Sequence, residues 1–145
     1  MNEMKTSEKG INLIKLFEGF EPEAYMCPAG VWTIGYGHIR AVKKGDKVNI
    51  AQAEILLRDD LQEAEKEVSS QLSLLNQNQF DALVSFVFNV GVQNFRDSTL
   101  LKWAKNNAND ELISLQFKRW VYAGKKVLPG LERRREAESK LYFSK

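Results

Sequence analysis

Apolar positions recur at helical spacing at Ile11, Leu13, Ile14 and Phe17, behind Ser7 and Glu8 and ahead of Gly19. The spacing predicts a first helix capped by Ser7, with Glu8 in its first turn, that ends at Gly19 and leaves Glu18 in the last turn. The pattern then changes. Ala24, Tyr25 and Met26 predict a short strand. Cys27-Pro28-Ala29-Gly30 suits a type I turn with Pro second and Gly fourth, and residues 31–39 supply the returning strand. Inside that strand, Gly35-Tyr36-Gly37 marks either a bulge or a groove wall approached by another chain or ligand.

Lys43-Lys44-Gly45-Asp46 reads as a turn, and Asn49 with Gln52 forms a capping box. The helix it opens runs over 50–69, about 30 Å, with Ala53, Leu57, Leu61, Ala64 and Val68 along one side. Such a helix is long enough to bridge two lobes of one small domain. A second box, Asn76 and Gln79, introduces a segment that is apolar nearly all round from Phe80 to Val90, and Gly91 ends it. This is the predicted buried centre of a helical lobe. Shorter amphipathic helices are expected over 98–105, 109–120 and, after Pro129-Gly130, 131–143. The class is α+β, mostly α-helical, with a small antiparallel β region.

The chain has 145 residues, enough for one domain, and its 43% hydrophobic and 28% charged content belongs to a folded globule. No apolar run approaches the ~18 residues of a membrane span, and the first residues lack an apolar signal region. The expectation is a protein made and first held in the cytosol. A single cysteine, Cys27, allows no internal disulfide, a single His38 argues against a histidine metal cage, and neither metal nor cofactor is expected. Net charge is only +2, but residues 1–101 hold 10 basic and 14 acidic residues, and residues 102–145 hold 11 and 5. The basic end, with Lys118, Arg119, Lys125, Lys126 and Arg133-Arg134-Arg135, suits a polyanion. For the arginine triplet, a solvated helix face paired with Glu132, Glu136 and Glu138 is the preferred reading.

Nucleotide loops and the serine-nucleophile elbow are absent, so the search for chemistry narrows to carboxylates. Glu18 stands out: a helix C-terminus carries partial negative charge, and Phe17 and Phe20 remove water. Both disfavour the carboxylate, and the expected raised pKa is what a general acid at neutral pH requires.

Phe17-Glu18-Gly19, Ala24-Tyr25 and the run from Pro28 to His38, PAGVWTIGYGH, resemble the catalytic region of the phage-type lysozymes, the endolysins of glycoside hydrolase family 24. Further matches are Gln77 to Leu83, Val87-Phe88-Asn89-Val90-Gly91, Arg119-Trp120 and Leu128-Pro129-Gly130-Leu131 through Glu136. They follow family order over nearly the whole chain. The family motif of Glu, eight residues, Asp or Cys, five residues and Thr is met by Glu18, Cys27 and Thr33.

The resemblance implies a two-lobed lysozyme-like fold, with a small β-containing lobe at about 20–50, a linking helix at about 50–70 and a helical lobe at about 71–145 plus the N-terminal helix. It implies cleavage of the β-1,4 bond between N-acetylmuramic acid and N-acetylglucosamine in peptidoglycan, with the site between the lobes. Glu18 takes the acid role, and Cys27 and Thr33 position the water across about 6.5 to 9.5 Å if the enzyme inverts. A thiol with a reference pKa of about 8.5 is only a few per cent ionised at neutral pH, so activity rising with pH is expected. The other readings of Cys27 are a small buried hydrophobe or a nucleophile that retains the anomer. The resemblance assigns Asn89 to a substrate hydrogen bond, with a helix C-cap as its plain alternative. Gly35 and Tyr36 are expected to line the sugar groove, and Arg119 to meet carboxylates of the wall. His38 is expected in a structural ion pair with Asp60.

Partners follow from the same source: peptidoglycan glycan strands, a holin pore for release from the host cytoplasm to the periplasm, no nucleic acid, and a monomeric state. The basic C-terminal region adds an expected contact with outer-membrane lipopolysaccharide. The alternatives to a muramidase are a lytic transglycosylase, which needs only one acid/base glutamate, and a catalytically weak peptidoglycan-binding module.

Overall fold

Residues 4–145 are described in the computed structural model, and helix accounts for 56% of the described residues, beside two small antiparallel sheets. Two compact units form, one of residues 14–62 and one of the described residues up to Leu13 with Glu63–Lys145. The divisions fall inside helix α1 (Glu8–Glu18) and helix α2 (Ile50–Gln71).

The smaller unit starts from the last turn of α1. Strand β1 (Glu21–Met26) pairs antiparallel with β2 (Trp32–Gly35), placing Tyr25 opposite Thr33 and Met26 opposite Trp32, with an irregular register between Glu21 and Tyr25. The Pro28 turn closes as its composition dictates: Gly30 N–H donates to the Cys27 carbonyl at 2.8 Å. The returning strand is shorter than its predicted span of 31–39. It stops at Gly35, and Ile34 and His38 exchange backbone hydrogen bonds of 2.9 Å across a tight turn. Gly35 and Gly37 both have positive φ, +63° and +79°, so the glycine pair forms this tight turn in place of a strand bulge. Gly35 also sits tight against α2, because a Cβ there would lie 3.1 Å from Ala53 Cβ. Asn49 and Gln52 close a reciprocal box at 2.8 and 2.9 Å, and the apolar stripe of α2 is buried from Ala53 to Val68.

In the larger unit, Asn76 and Gln79 cap α3 (Gln77–Val90), Gly91 terminates it, and every residue from Gln79 to Val87 is buried. Phe86 is the hub, meeting Phe95, Phe117 and Trp120 edge-on at 6.4, 5.5 and 5.7 Å. Around α3 stand α4 (Val92–Arg96), α5 (Thr99–Asn106), α6 (Ile113–Phe117) and α7 (Pro129–Tyr142), with α7 its main neighbour. The helix expected over 109–120 survives only as α6. Asn107 Oδ1 and Asp110 Oδ1 accept from the Asn109 and Leu112 N–H groups, and these side-chain turns displace its first part. A hairpin of β3 (Tyr122–Ala123) and β4 (Lys126–Val127) precedes α7. The cap of α1 also differs from expectation: the Ser7 N–H and hydroxyl both donate to the buried carboxylate of Asp81, which supplies the negative charge at this helix start.

The C-terminal arginines correct the charge reading. Arg134 and Arg135 are buried at 4% and 0% exposure against a fully buried Glu138, so of the triplet only Arg133 faces solvent. Neither a solvated Arg/Glu face nor a lipopolysaccharide contact through the whole triplet is compatible with that burial.

Candidate active site

The Gly35-Tyr36-Gly37 turn brings the end of α1 and the β hairpin together. Glu18, half-buried in the last turn of α1, lies over Gly37 so closely that a Cβ on Gly37 would stand 2.8 Å from Glu18 Oε1. Any side chain at Gly37 would displace the carboxyl group. Burial, followed by the charges of Glu21, Cys27 and Glu18, pushes the Tyr25 phenol upward.

Cys27 opens the turn between β1 and β2 and is half-buried. Hydrogen bonding from the Val31 backbone is the largest influence on its thiol. Against the opposing effect of burial, the Ala29 and Gly30 backbone and the Thr33 hydroxyl add to it, and the thiol is held below its ordinary value. The turn's own closure engages the Gly30 N–H with the Cys27 carbonyl, and the Val31 backbone remains the main influence at the sulfur. Thr33 is buried at 6% exposure, and its hydroxyl donates to the Val31 carbonyl at 3.0 Å. One strand register thus sets the sulfur and the hydroxyl side by side.

Behind these groups Tyr36 is buried, its ring 5.5 Å from Phe20 and 5.4 Å from Lys15 Nζ, and Lys15 is bonded in turn to Glu54. Gly35 and Tyr36 therefore support the turn from inside. His38 Nδ1 lies 2.8 Å from Asp60 Oδ2, and Arg40 takes the other oxygen of Asp60 at 2.9 Å.

The remaining expected residues belong to the larger unit. Asn89 is exposed on α3 and accepts a 2.8 Å hydrogen bond from Arg135 Nη2; the helix cap is Gly91. Arg119 is exposed and reaches Gln116 Oε1 at 3.3 Å. Among the described residues no group of three or more His, Cys, Asp or Glu is placed to hold a metal ion, and no helix is long and apolar enough to cross a membrane. Sequence reasoning missed the contact between Gly37 and Glu18, although two glycines flanking Tyr36 signalled a close approach. It also missed the link from Arg135 to Asn89, for which spacing gave no signal.

The family described as phage lysozyme matches residues 15–138. An endolysin of Acyrthosiphon pisum secondary endosymbiont phage 1 is 45% identical, over 97% of this chain and 99% of that protein. An endolysin of Bacillus phage PZA is 43% identical over 97% of this chain, which spans only 56% of that longer protein. Among solved structures, the muramidase domain of SpmX from Asticaccaulis excentricus superposes with a TM-score of 0.91 at 38% identity, covering 97% of this chain and 99% of that one.

Proposed function

The chain belongs to the phage lysozyme family and is an endolysin of the muramidase type, and on that footing we propose that Glu18, Cys27 and Thr33 carry its reaction. Glu18 gives its proton to the oxygen that bridges N-acetylmuramic acid to N-acetylglucosamine as the bond to the anomeric carbon breaks. A water attacks that carbon from the opposite face. The Cys27 thiolate accepts the proton the water loses, and the Thr33 hydroxyl orients the water beside the sulfur. Each turnover consumes one water and leaves two free sugar ends.

The observation that carries this reading is the β1–β2 register, with Tyr25 opposite Thr33, which sets Cys27 and Thr33 next to each other at the mouth of the turn, where the Val31 backbone chiefly holds the thiol below its ordinary value. Asn89 and Arg119 are proposed to hold the glycan strand, and His38 with Asp60 to brace the hairpin behind the site. Because peptidoglycan lies beyond the cytoplasmic membrane, export through a holin pore belongs to the same reading.

The test is digestion of purified peptidoglycan by the protein and by Glu18→Gln, with products read by mass spectrometry. Products with hydrated reducing ends, reduced at least ~10²-fold in the variant, are expected. Products lighter by one water would instead identify a transglycosylase. Binding of the wall by the wild-type protein with no released sugars would identify a binding module.

A further inference from the structure

Arg135 has no exposed surface, yet its guanidinium is aimed at one solvent-facing side chain. Nε lies 2.8 Å from Glu138 Oε1 and Nη2 lies 3.3 Å from Glu138 Oε2. The same Oε2 accepts from the Ser85 hydroxyl at 2.5 Å and from Arg134 Nε at 3.2 Å. The Phe86 ring lies 5.1 Å from the guanidinium carbon. Held on these sides, Nη2 donates to Asn89 Oδ1 at 2.8 Å.

As a stability device this cluster is poor. Two guanidinium groups share one carboxylate away from water, Nη1 of Arg135 finds no hydrogen-bond acceptor among the described residues, and apolar residues of similar volume would fill the space at lower desolvation cost. Its geometry does accomplish one thing. A guanidinium has donors only, so of the two ends of the Asn89 amide only Oδ1 can face it. Nδ2 is thereby turned away from Arg135.

We propose that Arg135 is a positioning residue that gives the Asn89 subsite its polarity: with Oδ1 held from α7, Asn89 meets the glycan only as a donor through Nδ2. The matching group on the substrate is an acceptor oxygen, an N-acetyl carbonyl or a carboxylate. This inference rests on the proposed contact between Asn89 and the substrate.

The test is a double-mutant cycle of Arg135→Lys and Asn89→Ala, read by kcat and KM on soluble peptidoglycan fragments and by the Asn89 side-chain amide signals in NMR. Lysine keeps the charge but cannot span the cluster as a planar fork. The expected result is a KM raised roughly tenfold with little change in kcat, an Asn89 amide pair moved toward the position of a free amide, and no further loss when Arg135→Lys is added to Asn89→Ala. An equal loss from Arg135→Lys in both backgrounds would show that it acts through the fold alone and overturn the proposal. Wild-type kinetics for Asn89→Ala would instead overturn the substrate contact itself, whatever the amide signals show. Asn89→Asp covers the case in which Arg135→Lys does not fold. Its carboxylate still pairs with Arg135 but offers no donor, so a KM loss matching Asn89→Ala supports the proposal, and wild-type KM overturns it.

Discussion

A thiol serves where a carboxylate is usual only if its proton leaves near neutral pH, and the β1–β2 turn supplies the means. Hydrogen bonding in the turn, that of the Val31 backbone first, outweighs burial and holds the Cys27 thiol below its ordinary value. Because the folded chain favours the ionised form, the associated stabilisation is present above the ordinary thiol value and is lost as pH falls through the lowered one. The same titration governs reactivity. Alkylation of Cys27 by a small reagent, followed against pH, is expected to reach half its plateau rate below the value of a free thiol, and Thr33→Val to move that midpoint upward. The ascending limb of hydrolysis should share the midpoint, and Cys27→Asp should carry it to lower pH. An alkylation midpoint at or above that of a free thiol would show that the turn does not ionise the sulfur. The spacing of Glu18, Cys27 and Thr33 was legible in the sequence because it follows a family pattern. The lowered thiol was not, because it depends on how the backbone of the turn closes around Cys27.

At the scale of elements, local signals were read well and charges less so. Both capping boxes closed because each couples residues three apart, with no help needed from the rest of the fold. The Glu138 cluster was misread because i,i+3 and i,i+4 spacing is the same on a solvated face and on a buried one. Between α2 and α4, Glu67 is buried at 5% exposure and accepts from Arg96 Nε at 3.0 Å and Nη2 at 2.8 Å, with Gln71 adding a third bond of 3.0 Å. The Arg96 bonds are the main reason its carboxyl is held below the usual range. A depressed carboxyl stabilises the fold above its unfolded value and ceases to do so as pH falls through the folded one. Arg96→Ala is therefore expected to lower stability modestly at neutral pH, because the arginine is exposed and its pairing is screened by solvent. The gap between variant and wild type should narrow as Glu67 is protonated. Urea unfolding at pH 7 and at pH 3 checks both, and a gap that stays constant would mean the pair does not couple folding to pH.

Across the whole chain, the order and class of the helices were legible because each carries its own period and caps, whereas the tie between distant segments depends on which polar groups the fold buries. Tyr142 is such a tie. It closes α7 with its ring against Phe117 and Phe143 at 5.6 and 4.9 Å, and its hydroxyl donates to the Ala108 carbonyl at 2.5 Å. Burial pushes its phenol from 10.0 up to about 12. For an acid raised in this way the folded state resists ionisation, so stability is complete below the unfolded value and declines as pH climbs toward the folded one. A shift of this size corresponds to on the order of 3 kcal/mol lost between the two values. Tyr142→Phe removes both the hydrogen bond and the titration. It is expected to cost about 1 kcal/mol at neutral pH and to flatten the decline above pH 10. Melting temperature followed against pH for both proteins separates the two effects. If the variant declines as steeply as the wild type, the alkaline limit is set by groups other than this phenol.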